Sequence, residues 1–360
     1  MNRRVRVLIV DDSAVMRQLL SQLLSEDPEI EVVGTAADPF IARERIKALN
    51  PDVVTLDVEM PNMDGVTFLR KIMTLRPMPV IMVSTLTEAG AEITLEALEI
   101  GAVDFITKPT TNVSNGMAAI AAELQAKVKA AARTPVRARV AAPQPRVVQH
   151  RPWTGGTEKI VVIGASTGGV EALKVVLMGL PAECPPVLIT QHMPPRFTGA
   201  FAERLNRECP MKVSEAKHND VVEPHHVYIA PGSHHLQLTR VGNGFRCTLH
   251  DGPPVSGHRP SVDVLFRSAA RAAAGRAVAV ILTGMGKDGA EGMYELRQAG
   301  AFTIGQDEAS SLVYGMPRAA HERGGVIRQV PLTLVADTIM EACAAGTTAA
   351  RVSNRASHVC

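Results

Sequence analysis

Polar residues that could do chemistry follow several short apolar runs of the sequence, each at the point where a run ends. In the first third of the chain these residues are Asp11, Asp12, Asp57, Ser84 and Lys108. Three carboxylates brought together repel one another and favour a hard cation such as Mg²⁺, which prefers oxygen ligands. With that cation bound, Asp57 could act as a nucleophile toward a phosphoryl donor. The lysine and the serine hydroxyl could then bind oxygens of the phosphoryl group.

A serine lies on a glycine-rich turn in the second half of the chain, in the run I-G-A-S-T-G-G that ends at Gly169. Small neighbours let the backbone turn sharply there, which leaves the Ser166 Oγ exposed at the start of a helix. A nucleophilic serine needs a base, and the base needs an acid to hold its tautomer. His192 and Asp288 each follow an apolar run, so they are the candidates for these two roles. The chain order Ser-His-Asp differs from the Ser-Asp-His order of the α/β-hydrolases.

Each candidate also has a simpler explanation. Asp12 could be a helix cap, Lys108 a surface lysine and Asp288 the N-cap of the helix that follows it. The turn at Ser166 could bind a phosphate, but it has neither the G-x-G-x-x-G spacing of a dinucleotide fold nor the lysine of a P-loop. Other histidines compete with His192 as the base, and their spacing fits no common zinc pattern. These histidines are His218, His225, His226, His234, His235, His250 and His258.

The elements that must position the first group of polar residues alternate between strands and helices. The predicted strands are Val5–Val10, Glu31–Gly34, Val53–Leu56, Val80–Val83 and Val103–Thr107. Segments with helical apolar spacing lie between them. This alternation is typical of a doubly wound parallel α/β domain, in which ligands bind beyond the carboxyl ends of the strands. We therefore expect the polar residues to converge at one edge of the sheet.

A second α/β pattern begins at Lys159, with predicted strands at Ile160–Ile163, Val187–Thr190, Ala277–Leu282 and Ala301–Ile304. Residues 212–249 are rich in valine, histidine and turn residues, which predicts an inserted ribbon of short antiparallel strands. We predict two doubly wound parallel-sheet domains: a flavodoxin-like domain at residues 1–125 and a Rossmann-like, three-layer domain at residues 158–346. Residues 126–157 are predicted to form a flexible linker, and residues 347–360 a C-terminal tail.

Composition narrows the class of protein. The 360 residues fit two domains, and a formal net charge of +2 gives no reason to expect nucleic-acid or membrane binding. The predicted linker is basic, but no folded basic surface accompanies it, so we interpret it as a solvated spacer. No apolar run reaches the roughly 18 residues of a membrane-spanning helix, and no signal peptide is recognisable. These features predict a cytoplasmic protein with no membrane insertion. Five widely spaced cysteines without a C-x-x-C pair predict reduced thiols.

Residues 5–125 resemble the response-regulator receiver family. The matching runs are V-L-I-V-D-D-S at 7–13, L-D-V-E-M-P-N-M-D-G at 56–65, S-T at 84–85 and D-F-I-T-K-P at 104–109. The resemblance implies that Asp57 is the phospho-acceptor. It also implies that Mg²⁺ is held by Asp12, Asp57 and the Glu59 backbone carbonyl, with Asp11 acting nearby through water. The residues that the resemblance assigns to the phosphorylation switch are Ser84, Phe105 and Lys108. From the residues alone, Phe105 is equally well explained as a packed core aromatic.

Residues 159–345 resemble the catalytic domain of the chemotaxis protein-glutamate methylesterases of the CheB type. The matching runs are I-G-A-S-T-G-G, Q-H-M-P, Y-I-A-P-G at 228–232, R-P-S-V-D-V-L-F at 259–266 and L-T-G-M-G-K-D-G. The resemblance implies a triad of Ser166, His192 and Asp288, with the Met285 backbone N–H as an oxyanion donor and no cofactor for the esterase reaction. For the run at 259–263 the residues themselves predict only the capping of a helix.

The same resemblance implies the partners and the control of the enzyme. The substrates would be glutamate γ-methyl esters, and also glutamines, on the cytoplasmic domains of chemoreceptors. A chemotaxis histidine kinase would supply the phosphoryl group, and phosphorylation would activate the hydrolase. Two other functions remain open from the residues: a phosphorylation-switched binding module in which Ser166 is only a turn residue, and a hydrolase of a different ester or amide in another sensory system.

Overall fold

The structure of the chain is a computed structural model, and it describes residues 3–85, 87–108, 117–134 and 159–344. These residues form two compact units. The predicted linker from residue 135 onward, the predicted tail at residues 347–360 and Cys360 lie outside the described residues.

The first unit is built on a five-stranded parallel sheet with the strand order β2-β1-β3-β4-β5. Its strands are β1 (Val5–Val10), β2 (Ile30–Ala36), β3 (Val53–Asp57), β4 (Val80–Ser84) and β5 (Asp104–Thr107). Strands β3 and β4 are buried along their whole length, as expected when helices cover both faces of a parallel sheet. The predicted doubly wound fold of this unit is confirmed, and its first strand lies between β2 and β3.

Five helices connect these strands: α1 (Ala14–Ser25), α2 (Pro39–Leu49), α3 (Gly65–Leu75), α4 (Glu88–Ile100) and α5 (Met117–Ala132). Ser13 is the N-cap of α1, and its hydroxyl oxygen accepts a hydrogen bond from the Met16 N–H. The capping of α1 therefore does not require the side chain of Asp12, although a cap was one explanation of that residue.

Helix α5 continues to Ala132, past the end of the first domain that the sequence predicts at residue 125. Its alanine-rich sequence favours a helix, and two of its lysines pair with acids of the same unit. Lys127 Nζ lies 3.3 Å from Asp104 Oδ1, and Lys129 Nζ lies 2.6 Å from Asp27 Oδ2. The predicted boundary is too early, because these basic side chains belong to the folded unit and not to a linker.

The second unit is built on a seven-stranded sheet with the order β14-β13-β12-β6-β7-β9-β8, and its neighbouring strands are parallel. Its strands are β6 (Ile160–Ala165), β7 (Val187–Gln191), β8 (Lys212–Glu215), β9 (His226–Ile229), β12 (Ala277–Ile281), β13 (Phe302–Gln306) and β14 (Arg328–Val330). Its helices are α6 (Gly169–Gly179), α7 (Phe197–Glu208), α8 (Val262–Ala273), α9 (Ala290–Gln298) and α10 (Met316–Glu322), with a last helix at 335–344. The predicted parallel α/β class is confirmed for this unit as well.

The ribbon that the sequence predicts at residues 212–249 is only half correct. Strands β10 (His235–Val241) and β11 (Gly244–His250) do form an antiparallel hairpin, which turns at Gly242 with φ +58°. Strands β8 and β9, however, extend the main sheet in parallel. The loop between them returns the chain to the starting edge of the sheet, and such a crossover gives parallel neighbours where a tight turn would give an antiparallel pair.

No helix in the described ranges is long and apolar enough to cross a membrane.

Candidate functional sites

The acidic residues of the first unit converge at the carboxyl ends of two neighbouring strands. Val10 is paired with Leu56 across β1 and β3, so Asp11 follows its strand beside Asp57, the last residue of β3. Each of Asp11, Asp12 and Asp57 offers a carboxylate oxygen within 4.8 Å of the others. The structure therefore assembles the three carboxylates that the sequence places at strand ends.

Lys108 is the cation inside this cluster. Its Nζ lies 2.7 Å from Asp57 Oδ2 and 3.4 Å from Asp11 Oδ2. Burial raises the pKa of Asp57 to about 6, because the hydrogen bond from Lys108 only partly offsets the loss of solvent. Burial also raises the pKa of Asp11. One lysine thus leaves the charge of three carboxylates incompletely neutralised.

The donor set fits a hard divalent cation. The Oδ2 atom of Asp11 is buried, and its contact with Lys108 Nζ, at 3.4 Å, is longer than an ordinary hydrogen bond. Asp12 is exposed, so an ion could enter from solvent. Oxygen atoms from carboxylates are the ligands that Mg²⁺ prefers, and it keeps several waters in such open sites. The Glu59 N–H donates to Asp57 Oδ1 at 3.3 Å, which places the Glu59 backbone next to the cluster.

The remaining predicted switch residues lie near the cluster but bond elsewhere. The Ser84 Oγ accepts a hydrogen bond from Thr94 Oγ1 at 2.8 Å and lies 3.3 Å from the Gly90 carbonyl, both on α4. Phe105 is buried in β5, and Lys127 Nζ lies 5.4 Å from the centre of its ring. The structure therefore brings Lys108 to Asp57, while the Ser84 hydroxyl is held by α4.

In the second unit the three predicted triad residues follow three adjacent strands. Strand β6 lies between β7 and β12, with Ala165 paired with Gln191 and Gly164 paired with Ile281. The chain leaves β6 toward β7 on one side and returns to β12 on the other, and a switch of strand order of this kind is where open parallel sheets bind their ligands. Ser166 and His192 lie directly beyond their strands, and Asp288 lies on the loop that follows β12.

The Ser166 turn is tightly constrained. The Ser166 N–H donates to the Thr283 carbonyl at 3.0 Å, and the Ser166 carbonyl accepts from the Gly169 N–H at 2.7 Å. Gly168 has φ +76°, a conformation that glycine adopts without strain. A side chain at Gly284 would place its Cβ 2.8 Å from the Ser166 Cβ. The backbone around the serine is therefore fixed, while its Oγ makes no hydrogen bond to a described residue.

His192 and Asp288 form a buried pair. His192 Nε2 lies 2.8 Å from Asp288 Oδ2, and the exposed fractions of the two side chains are 7% and 1%. An ionised carboxylate only accepts hydrogen bonds, so Nε2 carries the hydrogen and Nδ1 holds the lone pair. Nδ1 is buried and has no partner among the described residues. The ring also stacks on His258, with 3.7 Å between the ring centres. His192 therefore presents Nδ1 as the atom that can accept a proton.

Asp288 accepts three further hydrogen bonds, all from the start of α8. Ser261 Oγ donates to Oδ1 at 2.8 Å, the Val262 N–H to Oδ2 at 2.7 Å, and the Asp263 N–H to Oδ1 at 3.1 Å. Burial alone would raise the pKa of Asp288, but the hydrogen bonds and the charge of His192 hold it below its usual value. The N-cap of the helix that follows Asp288 is Gly289. The alternative of Asp288 as the cap of its own helix is therefore wrong, since Asp288 caps α8 instead.

The loop that follows β12 leaves several backbone donors without a hydrogen bond in the described ranges, and the N–H of Met285 is one of them. The Gly284 N–H donates to the Val313 carbonyl at 3.0 Å, and the Gly284 carbonyl accepts from the Met316 N–H at 2.8 Å. The next residue, Met285, is half-buried, and its N–H makes no hydrogen bond within the described ranges. An unpaired N–H beside the serine is the kind of donor that an oxyanion requires.

The other histidines form no metal site in the described part of the chain, where the acidic cluster of the first unit is the one group with suitable ligand spacing. Cys184, Cys209, Cys247 and Cys343 are buried, and none of these four described cysteines forms a disulfide. Sequence reasoning missed Ser261, because its hydrogen bond to Asp288 joins residues that are far apart in the chain. Its only signal was its place in the run R-P-S-V-D.

Comparison with known proteins agrees with both halves of this description. Residues 7–120 match the response regulator receiver domain family, and residues 161–339 match the CheB methylesterase family. The chain is 57% identical to a protein-glutamate methylesterase/protein-glutamine glutaminase of Caulobacter vibrioides, over 95% of this chain and 99% of that protein. It is 54% identical to the protein of the same name from Pectobacterium atrosepticum, over 95% and 98% of the two chains.

A solved structure supports the assignment of the second unit. The catalytic domain of the Thermotoga maritima CheB methylesterase covers 51% of this chain with a TM-score of 0.50 and 37% identity, and 97% of that domain is matched. The relatives from Caulobacter vibrioides and Pectobacterium atrosepticum align with 95% of this chain and with nearly their own full length, and more than half of the aligned residues are identical. The chain therefore belongs to the protein-glutamate methylesterase/protein-glutamine glutaminase family, in which a response regulator receiver domain is joined to a CheB methylesterase domain.

Proposed function

We propose that this enzyme removes methyl groups from glutamate γ-methyl esters of chemoreceptors, and deamidates receptor glutamines, through Ser166, His192 and Asp288, and that phosphorylation of Asp57 activates it. The observation that carries the catalytic part is the buried 2.8 Å contact between His192 Nε2 and Asp288 Oδ2, at the sheet edge where the Ser166 turn ends. This contact leaves His192 Nδ1 as the proton acceptor.

The reaction begins when the Ser166 Oγ attacks the ester carbonyl carbon and His192 Nδ1 takes the serine proton. Asp288 stabilises the imidazolium that forms, and the Met285 N–H stabilises the negative carbonyl oxygen. His192 then donates its proton to the departing methoxide, which leaves as methanol. Water, losing a proton to His192, then attacks the carbonyl carbon of the glutamyl ester. His192 returns that proton to the departing Ser166 Oγ, which frees the serine and leaves glutamate on the receptor. A receptor glutamine follows the same steps with ammonia as the leaving group.

In the receiver, Asp57 is the proposed phospho-acceptor. Asp11, Asp12, Asp57 and the Glu59 backbone carbonyl are the groups that would hold Mg²⁺. When bound, the cation neutralises charge on the phosphoryl group. Lys108, already 2.7 Å from Asp57, would pair with a phosphoryl oxygen. The Ser84 hydroxyl would leave α4 to bind another oxygen, and Phe105 would reorient with it.

The proposed partners follow from these two reactions. A chemotaxis histidine kinase supplies the phosphoryl group, and the cytoplasmic domains of methylated chemoreceptors are the substrate, which places the enzyme in the cytoplasm. The receiver acts by population shift: without phosphate it lowers the activity of the hydrolase, and phospho-Asp57 weakens that inhibition.

The catalytic proposal is tested by methanol release from receptor membranes labelled on their methyl esters. Ser166→Ala should lower the rate by about 10⁴-fold or more. Phosphorylation of Asp57 by a small-molecule donor should be unchanged in the same variant, which shows that the receiver is folded, and an unchanged midpoint of urea unfolding would show the same for the unit that carries Ser166. Methanol release at the wild-type rate would instead support a binding module in which Ser166 is a turn residue.

The regulatory proposal is tested with a truncated enzyme that begins near Thr157. It should release methanol faster than the unphosphorylated full-length chain and should not respond to a phosphoryl donor. Equal activity of the truncated and the unphosphorylated full-length enzymes would refute an inhibitory receiver.

A further inference from the structure

The side chain of Ser261 does not cap helix α8, although Ser261 lies at the N-cap position of that helix. It is the N-cap residue of α8, with extended backbone angles (φ −115°, ψ 138°), and it is fully buried. A serine at an N-cap normally accepts a hydrogen bond from the second or third N–H of its helix. The Ser261 side chain makes no such bond. Its hydroxyl points to the carboxylate of Asp288, with Oγ 2.8 Å from Oδ1.

The capping of α8 is supplied by Asp288 instead. The first two N–H groups of the helix, from Val262 and Asp263, both donate to this carboxylate. Since the helix already has an acceptor at its N-terminus, the Ser261 hydroxyl is not needed as a cap. An ionised carboxylate can only accept, so Ser261 is the donor in the bond between them.

The four hydrogen bonds divide evenly between the two carboxylate oxygens. Oδ1 accepts from Ser261 Oγ and the Asp263 N–H, while Oδ2 accepts from the Val262 N–H and His192 Nε2. Donors on Oδ1 oppose rotation of the carboxylate, so Oδ2 stays directed at the imidazole. Ser261 is the side-chain donor on the oxygen that does not touch His192.

Ser261 is itself held by a buried histidine. The Ser261 N–H donates to His235 Nδ1 at 3.2 Å, and His235 Nε2 donates to the Pro253 carbonyl at 3.1 Å. His235 is fully buried. The backbone from which the hydroxyl extends is thus fixed independently of Asp288.

We propose that Ser261 is a positioning residue of the hydrolase: its hydroxyl holds the Asp288 carboxylate in the orientation that His192 requires. This inference rests on the proposed triad. It assigns Ser261 a role in the rate of the reaction, beyond the capping of α8.

The test compares Ser261→Ala with Ser261→Thr and with a matched control on the same helix. Ser268 is also buried in α8, and its hydroxyl oxygen accepts from the Leu238 N–H at 2.9 Å and donates to the Leu265 carbonyl at 2.7 Å, away from the triad. The kcat and KM of methanol release are measured for each full-length variant, together with the midpoint of thermal unfolding.

Ser261→Ala should lower kcat by about 10- to 100-fold, the effect of losing one hydrogen bond to a charged group, with KM unchanged. Ser268→Ala should lose thermal stability but keep the wild-type kcat. Ser261→Thr, which retains a hydroxyl, should recover most of the lost kcat. If the extra methyl group of threonine prevents folding, the difference in kcat between Ser261→Ala and Ser268→Ala still tests the proposal.

A double variant shows whether Ser261 acts through Asp288. Adding Ser261→Ala to Asp288→Asn should lower kcat no further, because the group that it positions has already been changed. The proposal is overturned if Ser261→Ala has the wild-type kcat or if Ser268→Ala lowers kcat equally. If Asp288→Asn itself keeps the wild-type kcat, the triad fails and not only the role of Ser261.

Discussion

Replacing Asp288 by asparagine should separate the chemical role of this carboxylate from its structural role. The side chain is buried and accepts hydrogen bonds on both oxygens. Asparagine has the same shape but only one oxygen, so its NH₂ group must face donors that now point at a carboxylate. The two possible orientations of the amide have different consequences for His192.

If the amide oxygen takes the place of Oδ2, it keeps the bonds from His192 and the Val262 N–H. The Ser261 hydroxyl can turn to accept from the NH₂ group, but the Asp263 N–H then loses its acceptor. The neutral amide also no longer stabilises an imidazolium. The base is held in place but is weakened.

If the amide oxygen takes the place of Oδ1, the NH₂ group donates to His192 Nε2. The ring hydrogen must then sit on Nδ1, which can no longer accept a proton from Ser166. In this orientation the Val262 N–H is left without an acceptor. Either orientation therefore impairs the base and leaves one backbone N–H of α8 unpaired.

The expected cost is about 10⁴-fold in the rate of methanol release, and about 1–3 kcal/mol in the free energy of unfolding for one unpaired buried N–H. Urea denaturation measures the second quantity. Ser166→Ala is the matched control: it should lose activity at unchanged stability, because its Oγ makes no hydrogen bond to a described residue. Near wild-type activity of Asp288→Asn would refute this reasoning, and unchanged stability would refute the capping of α8 by Asp288.

Three further predictions follow from the geometry. In the presence of a chelator, Asp57→Asn should gain stability over the wild type as the pH rises, by up to about 3 kcal/mol between about pH 4 and pH 7. The pKa of Asp57 is raised to about 6, so its carboxylate destabilises the fold as it ionises; a constant difference in urea unfolding would contradict this. Gly284→Ala should lower activity by about 100-fold, because its Cβ would lie 2.8 Å from the Ser166 Cβ. Gly179→Ala is the control, since its Cβ would lie 2.8 Å from the Ala336 Cβ; it should lower stability but not activity. An equal loss of activity in the two variants would refute the effect on Ser166. EDTA should abolish phosphorylation of Asp57 but leave methanol release by the truncated enzyme that begins near Thr157 unchanged; inhibition of the truncated enzyme would point to a metal in the second site.

The sequence predicts the strand ends well because parallel strands buried on both faces are continuous apolar runs. The residue after such a run lies at the carboxyl edge of the sheet. That rule places Asp11 and Ser166 directly beyond their strands, and the order of the strands brings them to Asp57 and His192. The glycine-rich turn beside the serine also matches its local geometry, in which Gly168 has a positive φ.

Contacts between residues that are far apart in the chain cannot be predicted from these local sequence patterns. The bond between Ser261 and Asp288 joins a helix start to a loop beyond another strand, and neither segment carries a sign of the other. The valine and histidine content of β8 and β9 predicts strands but not their direction, so the sequence predicts a ribbon where the structure has a parallel pair. The predicted first domain ends too early in α5, because lysines in the sequence are typical of a linker and the acids that pair with them lie far away in the chain.

The central claim is that Ser166 itself carries the glutamyl group, and hydroxylamine partitioning tests it most directly. Hydroxylamine attacks the proposed Ser166 ester in place of water, which frees the serine and leaves a glutamyl hydroxamate on the receptor. The wild-type enzyme should release methanol while hydroxamate replaces glutamate as the product with rising hydroxylamine, and Ser166→Ala should form neither product above the enzyme-free control. Methanol or hydroxamate formation by Ser166→Ala at the wild-type rate would contradict the account.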